Sequence, residues 1–116
     1  MLYMGSKRRI KDDILTVIHQ AADILNIDTY YEPFVGGCNI IPYVNISNRF
    51  GSDLNEYLVD FINYIREHGV EDLPEYLSYD DYYQIRDKII QTTNWLYFYY
   101  MNFGSFSGRW GEGYGA

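Results

Sequence analysis

Two acidic residues, each placed where a short β-prone run ends, are the side chains best placed to do chemistry. Glu32 follows the run Thr-Tyr-Tyr and precedes a turn with the paired glycines Gly36 and Gly37. This order indicates a strand, a glycine-rich loop and a helix, with loop amides pointing at a ligand over the strand end. Asp53 follows Glu32 by 21 residues, a spacing that places an acid beside the ribose of a bound nucleoside in an open α/β sheet. Because paired glycines also serve ordinary tight turns, a simple turn remains the alternative.

Four segments resemble the motifs of a known family, in family order and across nearly the whole chain. Residues 30–39 (Tyr-Tyr-Glu-Pro-Phe-Val-Gly-Gly-Cys-Asn) resemble the cofactor motif of the Dam-type (D12 class) adenine-N6 DNA methyltransferases, which reads close to Glu-Pro-Phe-x-Gly-Gly. Residues 3–7 (Tyr-Met-Gly-Ser-Lys) are similar to the short N-terminal motif, and residues 52–55 (Ser-Asp-Leu-Asn) to the acid-x-Asn motif that closes the second strand. Residues 99–104 and 106–110 resemble the aromatic, glycine-rich segment after the family's central helices.

The resemblance implies that the chain binds S-adenosylmethionine (SAM). We expect this binding to be weak, because half of the wall of the family's cofactor pocket is missing from the chain. The two glycines would let the backbone approach the methionine end, which Tyr3 would cover. Asp53 would accept hydrogen bonds from the ribose hydroxyls, with capping of the helix that starts at Asn55 as its alternative or additional role. Lys7 would lie near cofactor and DNA, with a solvated lysine as the alternative. The expected cofactor-binding residues are Tyr3, Lys7, Glu32, Phe34, Gly36, Gly37, Asp53 and Leu54, of which Phe34 and Leu54 would line the adenine.

The charge distribution argues against strong autonomous DNA binding. The net charge is −7, residues 1–49 are balanced between five basic and five acidic side chains, and all of the excess lies from Gly51 onward. A protein that holds DNA by its phosphates is basic on at least one face, and here only residues 7–11 form a basic cluster. We therefore expect DNA contact only through a complex. The residues expected to touch nucleic acid or a partner are Lys7, Arg8, Arg9, Trp95, Tyr99, Phe106, Arg109 and Trp110.

The sequence departs from the family at its catalytic motif. That motif is Asp-Pro-Pro-Tyr or Asn-Pro-Pro-Tyr, and it holds the flipped adenine while the methyl group is transferred. The prolines of this chain stand at positions 33, 42 and 74, so no Pro-Pro pair exists in it. We therefore expect no catalytic residue and no catalysis by the chain alone, which resembles the first half of such an enzyme.

The composition limits the domain number, the kinds of metal or disulfide site and the cellular location that we expect. The 116 residues, 47% of them hydrophobic, are enough for one folded domain. The single Cys38 excludes an internal disulfide and a cysteine-rich zinc site, and the lone His19 and His68 are more typical of surface or core histidines than of ligands. No metal is expected, and no apolar run reaches the length of a membrane span. We expect a cytoplasmic protein of a bacterial host cell.

Periodicity and capping signals predict the elements in outline. A helix with an apolar core stripe follows the N-cap Ser6, and strands are predicted at residues 29–32 and 49–53, with a short helix at residues 39–47 between them. A strong helix runs from Asn55 to His68, with Gly69 as its cap, and Ser78 opens another that includes Ile85, Ile89 and Ile90. For residues 95–101, aromatic content favours a strand, whereas the resemblance implies a helix, which we adopt. The tail, residues 102–116, is predicted to be a loop.

The predicted fold class is α/β: a partial Rossmann-like SAM-dependent methyltransferase fold with a helical, aromatic-rich C-terminal portion. We expect one truncated methyltransferase-like domain, with a cofactor-binding β-α-β part at residues 1–69 and a helical, aromatic part with a glycine-rich tail at residues 70–116. The open edge of the first strand and a surplus of aromatic surface around residues 95–114 predict a protein partner or a homo-oligomer.

Two functions remain open at this point. The first is the SAM-binding N-terminal portion of a Dam-like adenine methyltransferase. The second is a non-enzymatic binding protein, a phage-type remnant that inhibits a CRISPR effector or host nuclease. The acidic surface and dense tyrosines would then imitate nucleic acid. The motifs favour the first function, while the missing catalytic motif and the charge favour the second.

Overall fold

The protein contains both helices and strands, as seen in a computed structural model that describes residues 1 and 3–116. Within these residues the α-helices are α1 (Lys11–Leu25), α2 (Glu56–His68), α3 (Tyr79–Arg86) and α4 (Asn94–Phe103), and the strands are β1 (Thr29–Glu32) and β2 (Asn48–Gly51). Short 3-10 helices cover Arg8–Ile10, Ile41–Tyr43 and Phe106–Gly108. The described chain forms two compact units, which we call unit 1 (residues 1 and 3–54) and unit 2 (residues 55–116). The division at residues 69/70 stays a prediction.

The sheet of unit 1 consists of two parallel strands. Thr29 of β1 pairs with Asn48 of β2, and the register continues to Glu32 opposite Gly51. The bounds of β1 are those predicted, whereas β2 begins one residue before and ends two residues before the predicted segment. Because the strands are parallel, Glu32 and the residues after Gly51 reach the same edge of the sheet. The short parallel sheet with its helices is compatible with the α/β class predicted from the sequence.

The predicted helix at residues 39–47 is wrong. Only Ile41–Tyr43 form a single 3-10 turn, and Val44 is already extended. Pro42 lies in that turn, where its missing N–H is tolerated. The β-branched side chains around it lose rotamer freedom in a helix, which disfavours a longer one.

Helix α1 differs from its prediction at its start and in its burial. The helix begins at Lys11 after a 3-10 turn, and the Ser6 hydroxyl accepts hydrogen bonds from the Arg8 N–H at 3.3 Å and the Asn39 side chain at 2.8 Å instead of capping α1. The apolar stripe was expected to be core, which is wrong: no residue of α1 is buried. Val17 is 65% and Ile24 is 81% exposed. A two-stranded sheet is too narrow to cover the stripe.

Helix α2 in unit 2 forms between the residues that its capping signals predict. The Asn55 side chain accepts hydrogen bonds from the backbone N–H groups of Tyr57 and Leu58, at 3.1 and 3.3 Å. Gly69 follows the last turn, with φ of +78°. Leu58 and Phe61 are the buried residues of the helix. The predicted start and end of this helix are confirmed.

Helices α3 and α4 complete an aromatic core in unit 2. Ser78 caps α3 by accepting from the Asp81 N–H at 3.1 Å, as predicted. The helix ends at Arg86, so the prediction that Ile89 and Ile90 belong to it is wrong; both of their N–H groups donate to the Gln84 carbonyl after a turn. Residues 95–101 lie in α4. The buried residues of α2, α3 and α4 that form the core are Leu58, Phe61, Tyr82, Ile85, Phe98, Tyr100 and Met101.

The tail of the chain packs on its own unit. Ser105 and Tyr114 form an isolated antiparallel bridge, and the Tyr114 hydroxyl donates to the Leu77 carbonyl at 2.6 Å. Phe98 is fully buried, and Trp110 lies 5.3 Å from it, ring centroid to ring centroid. The expected surplus of exposed aromatic surface is therefore wrong for most of residues 95–114. Phe103 and Phe106 are the exceptions that remain exposed.

Candidate functional site

The glycine-rich loop lies directly after β1, at the edge of the sheet where both parallel strands end. It is tied to the segment after β2, because the Val35 N–H donates to the Ser52 carbonyl at 3.0 Å. The Cys38 N–H donates back to the Val35 carbonyl at 2.9 Å, which closes a turn over the glycines. Gly36 has φ of +50° within that turn, a conformation that costs glycine nothing. The loop is thus a tight, backbone-bonded structure.

Gly37 leaves no room for a side chain in the glycine-rich loop. A Cβ on Gly37 would lie 2.9 Å from the Met1 carbonyl oxygen and 2.8 Å from the Asn39 side-chain nitrogen. A Cβ on Gly36 would lie 3.7 Å from the Tyr3 ring. The N-terminal segment therefore lies against the loop, with the Tyr3 ring next to Gly36. That Tyr3 covers a cofactor stays a prediction.

Asp53 joins the two motifs. Its Oδ2 accepts a hydrogen bond from the Gly36 N–H at 3.0 Å, so the acid after β2 is held against the loop after β1. The side chain of Asn55 caps α2. A carboxylate that accepts from a backbone N–H makes a stronger hydrogen bond than a neutral acceptor does. The contact fixes the loop and the acid at one place on the sheet edge.

Glu32 is buried and bonded at the end of β1. Its carboxylate accepts from the Tyr30 hydroxyl at 3.3 Å and from the backbone N–H of Ile41. Burial raises the pKa of Glu32, while the bonds from Tyr30 and Ile41 and the charge of Lys7 oppose that rise. Burial and the neighbouring Glu32 charge raise the pKa of Tyr30 to about 12. These contacts join β1 to the turn at residues 41–43, so the carboxylate positions the strand end.

Lys7 reaches the same loop from the N-terminal side. Its Nζ donates to the Phe34 carbonyl at 3.4 Å, and its charge acts on Glu32. Arg8 and Arg9, in the adjoining 3-10 turn, are exposed. Of the basic cluster predicted for nucleic acid or cofactor, the structure therefore brings Lys7 to the loop and leaves the two arginines on the surface.

The two predicted adenine-lining residues lie open at the site. Phe34 is 62% exposed and Leu54 is 90% exposed. Phe34 belongs to the glycine-rich loop and Leu54 directly follows Asp53. Exposure of such large apolar side chains to water is unfavourable. An apolar ligand that covered them would therefore gain binding free energy.

The residues predicted to contact a partner in unit 2 fall into two groups. Trp95, Tyr99 and Trp110 are half-buried: Trp95 stacks on Tyr64 at 3.9 Å, and the Tyr99 hydroxyl donates to the Pro74 carbonyl at 3.0 Å. The half-buried group contributes to the fold of unit 2. Phe106 and Arg109 are exposed at its surface, where Arg109 lies 3.9 Å from Glu112.

Sequence reasoning missed Ser52 and Asn39. The Ser52 hydroxyl donates to the Pro33 carbonyl at 3.0 Å and accepts from the Tyr31 hydroxyl at 2.9 Å. The Asn39 side chain donates to the Ser6 hydroxyl, joining two of the predicted motifs. Their positions in the motifs could have identified both residues, because Ser52 directly precedes Asp53 and Asn39 ends the glycine-rich segment.

The described residues contain no group of three or more His, Cys, Asp or Glu side chains that could hold a metal ion. Among those same residues, no helix is long and apolar enough to cross a membrane.

Comparison with protein families identifies a match over most of the chain. The family model of the D12 class N6 adenine-specific DNA methyltransferases matches residues 3–110. That range contains all four segments whose resemblance was noted in the sequence. No curated protein and no solved structure matches the chain significantly.

Proposed function

This chain belongs to the D12 class N6 adenine-specific DNA methyltransferase family, and we propose that it is the SAM-binding N-terminal portion of a Dam-like enzyme with a partial Rossmann-like fold. The hydrogen bond from the Gly36 N–H to Asp53 carries this proposal. It unites the glycine-rich loop and the acid, two motifs from separate parts of the sequence, at the carboxyl ends of two parallel strands. Open α/β sheets bind their ligands at that edge.

The residues present fit SAM. The N-terminal segment packs so closely on Gly37 that a Cβ would collide with the Met1 carbonyl, and this packing would hold Tyr3 beside the methionine end. Asp53 would hold the ribose hydroxyls, and the exposed Phe34 and Leu54 would cover the adenine faces. Tyr3 would close over the glycines. When bound, SAM supplies an electrophilic methyl group.

Glu32 has a different part in this proposal. Its carboxylate is buried and bonded to Tyr30 and Ile41, so it would support the loop from beneath and leave the ribose to Asp53. Lys7 would assist by holding the Phe34 carbonyl. Both are positioning residues, because each acts on the loop and the loop would act on SAM.

Calorimetry with SAM tests the proposal. We expect weak binding, with a Kd above about 10 µM because few contacts offset the cost of association. Asp53→Ala should abolish the heat, whereas Asp23→Ala, which removes a negative charge from exposed α1, should leave it unchanged. Equal heats for wild type and Asp53→Ala would remove Asp53 from the site. No heat from the folded wild type would contradict the proposal and favour the non-enzymatic binding protein.

The chain is proposed to be inactive by itself. Methylation of adenine requires that the base leave the duplex and that its amino group be held in line with the methyl group, and the Asp-Pro-Pro-Tyr motif that does this is absent from the sequence. Incubation with unmethylated DNA and methyl-labelled SAM should leave the DNA unlabelled. Labelled DNA above the level of a heat-inactivated sample would contradict this part of the proposal.

A further polypeptide, which is either a second copy or another protein, is proposed to cover the sheet of unit 1. Tyr31 and Phe50 on the strands and Ile24 on α1 are exposed, although parallel sheets are normally covered on both faces. If the cover is a second copy, light scattering over increasing concentration should give a mass above the 13.7 kDa of one chain. If the cover is another protein, the purified chain should stay at that mass and bind a dye for apolar surfaces. A mass that stays equal to that of one chain, together with no binding of such a dye, would contradict the proposal that another polypeptide covers the sheet.

A further inference from the structure

Helix α1 presents an apolar stripe that its own unit does not cover. Ile10 immediately precedes the helix, and Val17 and Ile24 follow at intervals of seven residues. Each of the three is more than half exposed. Seven residues are close to two helical turns, so the three side chains lie on one side of the helix over a length of about 21 Å. A contiguous apolar surface of this kind marks an interface.

The rest of unit 1 contacts a different side of α1. Lys11 Nζ lies 4.2 Å from the centre of the Tyr43 ring, and His19 Nε2 accepts a hydrogen bond from the Asn45 N–H at 2.9 Å. At about 100° per residue, Val17 lies roughly 120° around the helix from Lys11 and roughly 160° from His19. The stripe therefore faces away from the segment that holds α1, and a tighter contact with that segment would not cover it.

The stripe is complementary to a second copy of itself. Its three large residues are isoleucine, valine and isoleucine at equal spacing, so their order is the same when the helix is read from either end. A second α1 laid antiparallel on the first places Val17 opposite Val17 and each Ile10 opposite the Ile24 of the other copy. Two-fold interfaces between identical chains are self-complementary in this way.

The charges at the two ends of α1 favour the same antiparallel arrangement. Residues 7–13 contain four basic and two acidic side chains, whereas residues 23–28 contain two acidic side chains and no basic one. Arg8, Arg9 and Asp23 are exposed. A parallel pair would bring like ends together, while an antiparallel pair brings the basic end of each copy beside the acidic end of the other. The helix dipoles favour the antiparallel pair for the same reason.

We infer that two copies of the chain associate through antiparallel packing of α1, with Val17 at the two-fold axis. This inference rests on the proposal that a further polypeptide covers unit 1, and it names that polypeptide as a second copy; it does not depend on SAM binding. Three large apolar residues a side are far fewer than the roughly 20–30 residues a side of a standard interface, so we expect a weak dimer that forms at about 100 µM.

A pair of charge insertions tests the surface. Val17→Glu places two carboxylates opposite each other at the axis, and we expect it to weaken the dimer at least tenfold, as measured by sedimentation equilibrium of the full chain. Thr16→Glu is the matched control, because it adds the same charge at the neighbouring exposed position, about 100° away around the helix. Thr16→Glu should leave the dimer unchanged. Unchanged circular dichroism of both variants establishes that they fold.

Disulfide cross-linking tests the direction of the helices. In a chain with Cys38→Ser, which removes the native cysteine, Ile10→Cys and Ile24→Cys are made as separate proteins and oxidised with copper–phenanthroline. We expect a cross-linked dimer from the mixture of the two proteins and little from either alone.

The outcomes distinguish this inference from the broader proposal. A dimer that Val17→Glu leaves intact, or efficient cross-linking of Ile24→Cys with itself, would overturn the antiparallel α1 pair and leave the covering of unit 1 by a second copy in place. A wild-type chain that stays monomeric at millimolar concentration and binds a dye for apolar surfaces would also overturn it, with another protein as the remaining cover.

Discussion

Unit 2 covers its own apolar side chains, whereas unit 1 leaves much of its apolar surface in water. In unit 2, Leu58, Tyr82 and Phe98 are completely buried among three helices. In unit 1, α1 has no buried residue and every residue of β2 is exposed. The hydrophobic effect therefore stabilises unit 2 from within, while unit 1 gains its stability from backbone bonds and a small core. The proposed cofactor loop lies in the unit with the open surfaces.

Of the predicted effects, the largest is the loss of stability when a buried aromatic ring of unit 2 is removed. Phe98→Ala removes a fully buried ring that lies 4.9 Å from Phe61, and we expect it to lower the free energy of unfolding by about 3–5 kcal/mol. Phe50→Ala removes a ring of the same size from the exposed face of β2, and the expected change is within about 0.5 kcal/mol. Denaturant unfolding of both variants measures the contrast. Similar losses for the two would mean that Phe50 is covered.

A methyl group at Gly37 should have the next largest effect, confined to unit 1. The Cβ of Gly37→Ala would collide with the Met1 carbonyl at 2.9 Å, and relief of such a clash costs about 1–3 kcal/mol. We also expect loss of SAM binding, because the loop must shift. Gly113→Ala is the matched control, since a Cβ there meets nothing within 4 Å. Calorimetry and unfolding of both variants decide; full SAM binding by Gly37→Ala would show that the close approach is unimportant.

The smallest of these effects is the pH dependence due to Glu32. Burial raises its pKa above the ordinary value of 4.5, so the native state binds more protons than the unfolded state and stability falls as pH rises from 4.5 through the raised pKa. Glu32→Gln should flatten this part of the profile of unit 1. The exposed Glu75→Gln should keep the wild-type slope. Unfolding followed through amides of unit 1 between pH 4 and 8 measures it, and identical slopes for wild type and Glu32→Gln would refute the assignment.

Most of the confirmed predictions rest on interactions between residues that are close in sequence. Asn55 and Gly69 delimit α2, and Ser78 starts α3, because each cap bonds to backbone within a few residues. Strand order placed the loop and Asp53 at one sheet edge, since parallel strands end together, but it did not predict the hydrogen bond from Gly36 to Asp53. The three caps need no knowledge of distant packing.

The features that were missed depend on distant partners. The apolar stripe of α1 has the pattern of a core helix, but burial requires a second surface, and the two strands of unit 1 do not provide one. The Ser6–Asn39 bond joins residues 33 positions apart, and the burial of Glu32 depends on Ile41 and Tyr30. Periodicity and propensity describe each segment alone and therefore could not reveal these contacts.

The most direct test of the central proposal is an NMR titration of the ¹⁵N-labelled chain with SAM, read separately for the two units. We expect the amide signals of Gly36, Gly37 and Asp53 to move, because these groups form the loop and acid at the sheet edge, and the indole signals of Trp95 and Trp110 to stay in place. Shifts that concentrate in unit 2, or a spectrum unchanged at millimolar SAM, would contradict the assignment of the cofactor site to unit 1.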